Sequence, residues 1–401
     1  MNAVAARKDA HLPVLDGVRG LAIVGVLLYH FFLNADRTYL GLPPLAKRVF
    51  ASTILGAKGV DLFFVLSGFL ITGILLRSKG SAHYFKNFYI RRSLRIFPLY
   101  YLTLIGCLIV GTIAAIPDYQ WHSLRWYFFY LHNVRDTFWQ PPIGGPGWFW
   151  SLAVEEHFYL FWPLVVLLLR RRHLVYFSIF LMLLAPAVRA ILVARGMTLF
   201  FTLCRMDTLA AGALLAILFS DSIHWQRTVT WTRRLALPIA IPALASNFLF
   251  AGSHNEVLDT VKYSLFALAC AVIAILALAG GAWNPIPAIC KVSWLRAMGK
   301  TSYSMYVFHP FVFLPLIGVL YRASWSPLRG MAWLDLVIDF AACFGLTYLI
   351  SRITWAVIEH PLIKLKDRFQ YSAPDNATRR DAVGLHYPAV EGTPVAEDAP
   401  S

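Results

Sequence analysis

The stretch GVDLFFVLSGFLITGILL occupies residues 59–76 and contains one charged residue, Asp61. Its length approaches the roughly 20 apolar residues that an α-helix needs to cross the hydrocarbon core of a bilayer. A buried helix of a soluble protein is seldom apolar over so long a run. Residues 53–76 are therefore predicted to form a membrane-spanning helix.

The rest of the chain has the same character. Of its 401 residues, 58% are hydrophobic, 15% aromatic and 14% charged, with a mean hydropathy of +0.60. A soluble fold could not bury so much apolar surface, although the length alone would fit two or three soluble domains. The sequence predicts an all-α polytopic membrane protein with about ten transmembrane helices in one domain, residues 1–362. The predicted spans are 15–34, 53–76, 97–116, 148–169, 174–195, 203–219, 235–251, 259–280, 300–321 and 334–358.

An aromatic stretch at residues 121–130 interrupts this series of spans. It is too short to cross a bilayer, and His122 and Arg125 break its apolar run. Aromatic residues favour the boundary between lipid and water. We therefore predict a helix that lies along the membrane interface.

Basic residues exceed acidic residues by 36 to 21, which gives a formal charge of +15. They occur in short groups between spans, at 77–95, 170–172 and 364–368, and this distribution argues against a nucleic-acid partner. Alternate connections carry about twice as many Lys and Arg residues as the others, which predicts cytoplasmic N- and C-termini. Residues 363–401 are predicted to be a cytoplasmic tail that is disordered from about residue 371, because its sequence has too few apolar residues to fold.

The sequence gives little support for a disulfide or metal site, or for a transporter. The five cysteines are scattered without a CxxC pair, so neither a disulfide framework nor a metal site is predicted. No internal repeat suggests an inverted-repeat transporter.

Ionisable residues inside spans are costly, so each is a candidate for function. Arg19 and His30 are 11 residues apart, which corresponds to about 1,100°, within about 20° of a whole number of turns, and to a rise of about 16 Å. Both side chains therefore share one face of the first span. His30 is a candidate general base or nucleophile, since imidazole titrates near neutral pH. The alternative is a histidine that only hydrogen-bonds a neighbouring helix.

The fourth span carries a polar face of its own. Ser151, Glu155 and Tyr159 follow one another at intervals of four residues, whereas Glu156 points about 100° away. Glu155 is predicted to lie at a depth that suits His30, where a carboxylate can orient an imidazole. The alternative is an acid that pairs with an arginine of another helix.

Arg91, Arg92 and Arg95 lie between the second and third spans and are predicted to converge on one anion, such as a phosphate. The same cluster is also an ordinary topology signal of a cytoplasmic loop. The residues themselves leave the two interpretations equally open.

Other polar positions could form a pocket or an acceptor site. Ser67 and Gly68 lie in the middle of the second span, where a small residue such as Gly68 permits close helix packing. Arg205 and Asp207 begin the sixth span and are predicted either to pair with each other or to frame an acceptor site. His309 lies within the ninth span before Pro310, which leaves a backbone carbonyl free for a structural hydrogen bond.

Six segments of the chain carry a common pattern. They are LDGVRG (15–20), GVDLFFVLSGF (59–69), RRSLRIFP (91–98), WSLAVEEHFY (150–159), RMDTLAAGALLA (205–216) and GKTSYSMYVFHP (299–310). In this order they resemble the acyltransferase-3 family of integral membrane O-acyltransferases. The resemblance covers the chain from about residue 12 to residue 362, and His30 follows the first segment at the family's Arg-x10-His spacing.

The resemblance implies a multi-pass enzyme of the bacterial inner membrane. It would take an acyl group, usually acetyl, from cytoplasmic acyl-coenzyme A (acetyl-CoA) and place it on a hydroxyl of a cell-surface or exported glycan. Matching positions imply that Arg19 and His30 are the essential pair and that Glu155 supports acyl transfer. They also imply that Arg91, Arg92 and Arg95 hold coenzyme A phosphates. His157 stands where the family commonly has glutamine, which leaves its role open.

A specific mechanism follows as an expectation. The phosphates of coenzyme A lie on Arg19 and the arginine cluster, and the pantetheine arm extends between helices towards His30, which Glu155 orients. The acceptor is a carbohydrate or a glycolipid. The alternatives are acylation of a small macrolide or lipid, or a proton-coupled transporter that uses His30 and Glu155 as a relay.

Overall fold

The structure is a computed structural model that describes residues 12–38, 52–139, 141–248, 256–280, 284–322, 332–369 and 371. Within these residues the elements are helices joined by turns, as predicted. The helices are α1 (Pro13–Thr38), α2 (Gly59–Ser78), α3 (Tyr84–Ile113), α4 (Trp121–Phe128), α5 (His132–Phe138), α6 (Trp150–Leu168), α7 (Arg171–Val193), α8 (Met206–Phe219), α9 (Ser222–Phe248), α10 (Glu256–Ala279), α11 (Ile286–Cys290), α12 (Ser293–Lys300), α13 (Ser302–Arg322), α14 (Ala332–Thr354) and α15 (His360–Leu365).

Nine helical segments within the described residues are long and apolar enough to cross a membrane. They correspond to nine of the ten predicted spans. The remaining prediction, 235–251, lies in α9 up to Phe248, and residues 249–251 fall outside the described residues. Arg233, Arg234 and two prolines lower the apolar character of α9.

The direction of α9 follows from its neighbours. Near the start of α10, the Ser264 hydroxyl donates to Asp207 at the start of α8 over 2.8 Å. Arg233, inside α9, donates to the Gly280 carbonyl just after the end of α10, over 3.1 Å. Helix α9 therefore packs along the end of α10 and connects the end of α8 with the start of α10.

Outward faces of the bundle are apolar. Ile113, Leu168 and Val357 are 81%, 70% and 69% exposed. Such exposure is unfavourable in water but suits contact with lipid. Together with the nine membrane-competent helical segments of the described residues, this surface identifies a multi-pass membrane protein.

Helix directions define two ends of the bundle. Helices α1 and α13 are parallel, because Asp16 lies against Gly299 and His30 lies against His309. Helix α2 is antiparallel to α1, since Gly59 at its start packs on Ala22 and Val26. The two ends are called the Arg19 end and the His30 end. The starts of α2, α6, α8 and α10 lie at the His30 end.

The aromatic stretch at 121–130 forms α4, a helix of eight residues. At 1.5 Å per residue its length is about 12 Å, which is too short to cross a bilayer. Tyr127 of this helix stacks on His132 with ring centroids 4.0 Å apart, which ties α4 to α5. Burial lowers the pKa of His132 to about 3, so its ring is neutral at physiological pH. That α4 follows the membrane interface stays a prediction.

Glycines permit a close approach of α2 and α8. A Cβ atom added to Gly68 would overlap the Leu209 carbonyl oxygen, and one added to Gly212 would overlap that of Val65. The packing role predicted for Gly68 is confirmed. This contact fixes the position of α2, and Ser67 projects from the same helix about 100° away from Gly68.

Substituting Gly68 with alanine is expected to destabilise the bundle. Overpacking of this kind costs about 1–3 kcal/mol, and a thermal unfolding scan in detergent should record a lower Tm. Gly106→Ala is the control, because a Cβ atom at Gly106 meets nothing within 4 Å. Equal Tm values for both variants would contradict this account of the helix contact.

Candidate active site

A cavity lies among helices α1, α2, α3, α6 and α13. It has an empty volume of about 870 Å³ including its open part. Along α2 it extends from Val60 to Ile71, which corresponds to about 16 Å at the helical rise per residue. Its polar lining consists of Arg19, Ser67, Arg92, Arg95, Ser151, Glu155, Glu156, Tyr159, Ser302, Tyr303 and Tyr306.

Three arginines lie at the Arg19 end of this cavity. Arg19 pairs with Asp16 at 3.9 Å, and Arg92 lies 5.9 Å above the ring of Tyr159. Arg92 and Arg95 belong to the same face of α3 and line the cavity with Arg19. The expected mechanism placed Arg19 beside the cluster of Arg91, Arg92 and Arg95, and the structure brings Arg19, Arg92 and Arg95 to one cavity.

The prediction that Arg91 converges with Arg92 and Arg95 is wrong. Its guanidinium donates to the Phe369 carbonyl over 3.3 Å and lies 5.6 Å from the ring of Tyr371. It is not among the residues that line the cavity. The turn of the helix from Arg92 to Arg91 directs this side chain towards the chain segment after α15.

Glu155 lies in the middle of the cavity. The Ser67 hydroxyl donates to its carboxylate over 2.6 Å and lies 2.6 Å from the Tyr159 hydroxyl. Arg19 and Arg95 are near enough to act on its charge. The prediction that Glu155 orients His30 is wrong within the described residues, because the hydrogen bond of the carboxylate goes to Ser67 instead. The spacing of residues along a helix predicts which side chains share a face, but it does not predict which helix packs against that face.

Glu156 also differs from its prediction. Both Glu155 and Glu156 line the cavity, because the cavity covers more than 100° of the circumference of α6. The Oε1 atom of Glu156 is buried and has no hydrogen-bond partner within the described part of the chain. Two adjacent acids therefore serve one site.

Two hydrogen bonds hold Tyr306 at the side of the cavity that faces the histidines. The hydroxyl of Tyr306 donates to the Trp148 carbonyl over 2.6 Å and lies 2.6 Å from the Ser151 hydroxyl. Tyr306 and Ser151 line the cavity, whereas His30 and His309 do not. The ring of Tyr306 also lies 5.7 Å from that of His309, so Tyr306, held by Ser151, stands between the cavity and the histidines and is called the partition.

His30 and His309 form a pair behind this partition. Their ring centroids are 4.8 Å apart. The Nδ1 atom of His30 is 2.9 Å from the Val26 carbonyl, and that of His309 is 2.8 Å from the Tyr306 carbonyl. A carbonyl only accepts, so each Nδ1 carries the proton and each Nε2 carries the lone pair. His30 is partly exposed, whereas His309 is fully buried.

One of the two predicted alternatives was an ion pair between Arg205 and Asp207. This alternative is wrong, because each residue has another partner in the described part of the chain. Arg205 lies 3.5 Å from Asp61, and Asp207 accepts from Arg189 over 2.8 Å. Neither partner was predicted from the sequence. Arg189 is the one charged residue within 174–194, and this was a signal that could have identified it.

His157, whose role the sequence left open, has a structural partner. Its Nδ1 atom lies 2.6 Å from the Thr202 hydroxyl, and Asn133 donates to the same hydroxyl over 3.1 Å. His157 is not part of the cavity lining. Its contacts join α5 and α6 to the turn before α8.

Metal ligands do not cluster in the described ranges, where no group of three His, Cys, Asp or Glu residues could hold an ion. The candidate site is instead built from three cations, two carboxylates, hydroxyl groups and a histidine pair. Together, fold and site define a multi-pass helical membrane protein with a polar cavity buried in its bundle.

Comparison with known proteins identifies the family. The model of a family described as "Acyltransferase domain" matches residues 12–354, so the chain belongs to this acyltransferase family. The peptidoglycan O-acetyltransferase OatA of Listeria monocytogenes is 27% identical over 383 residues, which cover 88% of this chain and 56% of the relative. A putative O-acetyltransferase of Staphylococcus aureus strain COL is 27% identical over 387 residues, or 89% of this chain and 58% of the relative.

A putative peptidoglycan O-acetyltransferase of Bacillus subtilis, YrhL, is 33% identical over 168 residues, which cover 38% of this chain and 23% of the relative. The chain therefore spans little more than half of the length of the first two relatives. No solved structure matches the chain.

Proposed function

We propose that this protein is a membrane O-acyltransferase that transfers an acyl group, in particular acetyl, from cytoplasmic acyl-CoA to a hydroxyl of a cell-surface or exported glycan. The observation that carries the proposal is one cavity with three arginines at one end and a histidine pair beside its other end. The family and the names of the relatives favour the same reaction. We place the protein in the bacterial inner membrane with both termini in the cytoplasm.

The arginines suit the donor. Coenzyme A carries phosphates, and guanidinium groups bind phosphate oxygens through paired, charge-assisted hydrogen bonds. Arg19, Arg92 and Arg95 would hold these phosphates, and the thin pantetheine arm would lie along the cavity. The pantetheine arm would have to span about 16 Å, which is the rise from Arg19 to His30 along α1. Glu155 and Glu156 line the same cavity as the three arginines.

His30 would act as the general base. Its Nε2 lone pair takes the proton of the acceptor hydroxyl while the hydroxyl oxygen bonds to the thioester carbonyl carbon. The carbon–sulfur bond breaks, and the proton passes to the departing coenzyme A thiolate. The partition of Tyr306 and Ser151 must open for the thioester to reach His30. His309 supports the ring of His30 by contact.

Glu155 would act through Ser67. Its hydrogen bond with this hydroxyl also fixes Tyr159, whose ring lies under Arg92. The carboxylate thereby positions the arginine end of the cavity and offsets part of its charge. This role replaces direct contact with His30.

Ser67→Ala tests the positioning role. Loss of a hydrogen bond to a charged group costs about 1.5–3 kcal/mol, so transfer activity is expected to fall about tenfold to a hundredfold. Ser67→Thr keeps the hydroxyl and should retain most activity. If both variants match the wild type in initial rate, Ser67 has no such role.

The proposed reaction is tested with the purified chain in liposomes. Acetyl-CoA with a labelled acetyl group is supplied at one face, together with a glycan acceptor. Recovery of the label as an alkali-labile ester on the glycan is expected. Label that stays entirely on coenzyme A would contradict acyl transfer and would favour the transporter alternative.

A further inference from the structure

A second group of charges lies at the His30 end, outside the cavity. It consists of Lys58, which precedes α2, Asp61 in the first turn of α2, and Arg205, which precedes α8. Lys58 and Arg205 contact the ring of Tyr263 from α10, and Asp61 lies beside Arg205. The cluster is called the Tyr263 site.

Two cations of the Tyr263 site contact the same aromatic ring. The Lys58 ammonium lies 4.2 Å from the Tyr263 ring centroid, and the Arg205 guanidinium lies 4.5 Å from it. Asp61 is 3.5 Å from Arg205, and its charge also acts on Lys58. Two positive charges thus share one carboxylate, which leaves a surplus of one positive charge.

The hydrogen bonds of Arg205 are incomplete. Only 7% of the residue is exposed. Its Nη1 atom faces Oδ1 of Asp61 at 3.5 Å without a hydrogen bond between them, and its Nε atom has no hydrogen-bond partner in the part of the chain that the structure describes. Buried cations are normally paired and hydrogen-bonded, because an unsatisfied charge costs several kcal/mol. The Nε atom of Arg205 is therefore a donor that a ligand acceptor could use, and the surplus positive charge beside it favours an anionic acceptor.

The neighbouring Arg189 is satisfied in this respect. It donates to Asp207, to Ser264 and to the Thr260 carbonyl, and the Ser264 hydroxyl also donates to Asp207. This neutral pair needs no further ligand. The contrast separates a structural ion pair from the unsatisfied site beside it.

An aromatic surface adjoins the Tyr263 site. Arg205 lies 5.0 Å from the ring of Trp150, and Trp150 stacks on Phe200 with centroids 5.0 Å apart. Phe200 is 41% exposed, so this surface is open to a ligand. Flat aromatic faces next to polar groups suit the apolar face of a sugar ring.

The Tyr263 site also adjoins the cavity. Trp150 precedes Ser151, which lines the cavity, and contacts Phe64, another lining residue, at 6.0 Å. A ligand on the aromatic surface would therefore lie beside the His30 end of the cavity, where an acceptor hydroxyl is required.

We propose that Lys58 and Arg205, with Tyr263, Trp150 and Phe200, bind the acidic group of the acceptor, so that the acceptor is an anionic saccharide carrying a carboxylate or a phosphate. This inference rests on the proposed function, since it assumes that a saccharide binds at the His30 end. The site selects the acceptor and takes no part in bond making.

Binding of defined saccharides tests the proposal. The full chain is reconstituted in nanodiscs of neutral phosphatidylcholine, and calorimetry measures a glucuronic acid oligosaccharide, its carboxyl-reduced counterpart and glucose 6-phosphate. The wild type is expected to bind one of the two anionic probes at least about tenfold more tightly than the neutral oligosaccharide, the effect of one charge-assisted contact. The tighter probe distinguishes carboxylate from phosphate.

Variants assign the preference to the Tyr263 site. Lys58→Gln and Arg205→Gln should abolish it, Lys58→Arg should keep it, and Arg195→Gln, which removes an exposed cation at the end of α7, should leave it unchanged. Because Arg205 is buried and its variant can fail to fold, Lys58→Gln decides the outcome. Equal wild-type affinities for neutral and anionic probes, or a preference that survives Lys58→Gln, would overturn the proposal.

Acyl transfer is measured on the same preparations to separate the two proposals. Anion preference without transfer from acetyl-CoA would remove the proposed function and leave an anion site. Transfer without anion preference would remove the Tyr263 site as the basis of acceptor selection and leave the proposed function.

Discussion

His30→Ala is expected to abolish acyl transfer and to leave coenzyme A binding intact. The Nε2 atom of His30 carries a lone pair because Nδ1 donates to the Val26 carbonyl. Loss of a general base typically costs a factor of about 10² to 10⁴ in rate. Donor binding should survive, because the arginines that hold the phosphates lie at the opposite end of the cavity. Initial rates with labelled acetyl-CoA and separate binding titrations measure both quantities.

His30→Asn separates catalysis from local structure. An asparagine amide can donate to a carbonyl one turn earlier in the helix, as Asn34 does to the His30 carbonyl over 2.8 Å. The variant should therefore fold normally and still lose transfer. His173→Ala, at an exposed histidine of α7, is the matched control with full activity. Wild-type activity in His30→Asn would end the assignment of His30 as the base.

Arg92→Gln and Arg95→Gln are expected to raise the KM for acyl-CoA about tenfold to a hundredfold each, with little change in kcat. Each guanidinium would lose a charge-assisted contact to phosphate, worth about 1.5–3 kcal/mol. Because the contact is present before and during the reaction, its loss weakens binding rather than the chemical step. Rates over a range of acetyl-CoA concentrations distinguish the two effects.

Arg91→Gln is the matched control, since Arg91 is on the same helix but contacts Phe369 and Tyr371 instead of the cavity. Its donor KM should stay near the wild-type value. An equal rise in all three variants would restore the convergence that the sequence predicted. No rise in Arg92→Gln or Arg95→Gln would reduce the cluster to a topology signal.

The sequence predicted the helices well because the cost of exposing polar backbone to lipid constrains a spanning segment strongly. Long apolar runs such as 59–76 therefore identify spans directly. Helix α9 was harder to judge, since Arg233 and Arg234 lie within a helix that continues through the predicted boundary at residue 235.

Grouping of the site residues was partly predictable. Arg19, Arg92, Arg95 and Glu155 do line one cavity. The partners of individual side chains were not predictable, because positions on one helix do not determine which helix packs beside it. Ser67 is 88 residues from Glu155, and Arg205 is far from Asp61 in the chain. Only the packing of α2 against α6 and α8 brings these residues together.

A structure determined with a non-hydrolysable thioether analogue of acetyl-CoA tests most directly whether one path joins the arginines to His30. We predict that phosphate oxygens lie within hydrogen-bond distance of Arg92 and Arg95 and that the Tyr306 partition is displaced. The acetyl carbonyl carbon should lie within about 4 Å of the place where the acceptor hydroxyl would contact His30 Nε2. Phosphates bound away from these arginines, or an acetyl group held on the far side of a closed partition, would contradict the mechanism.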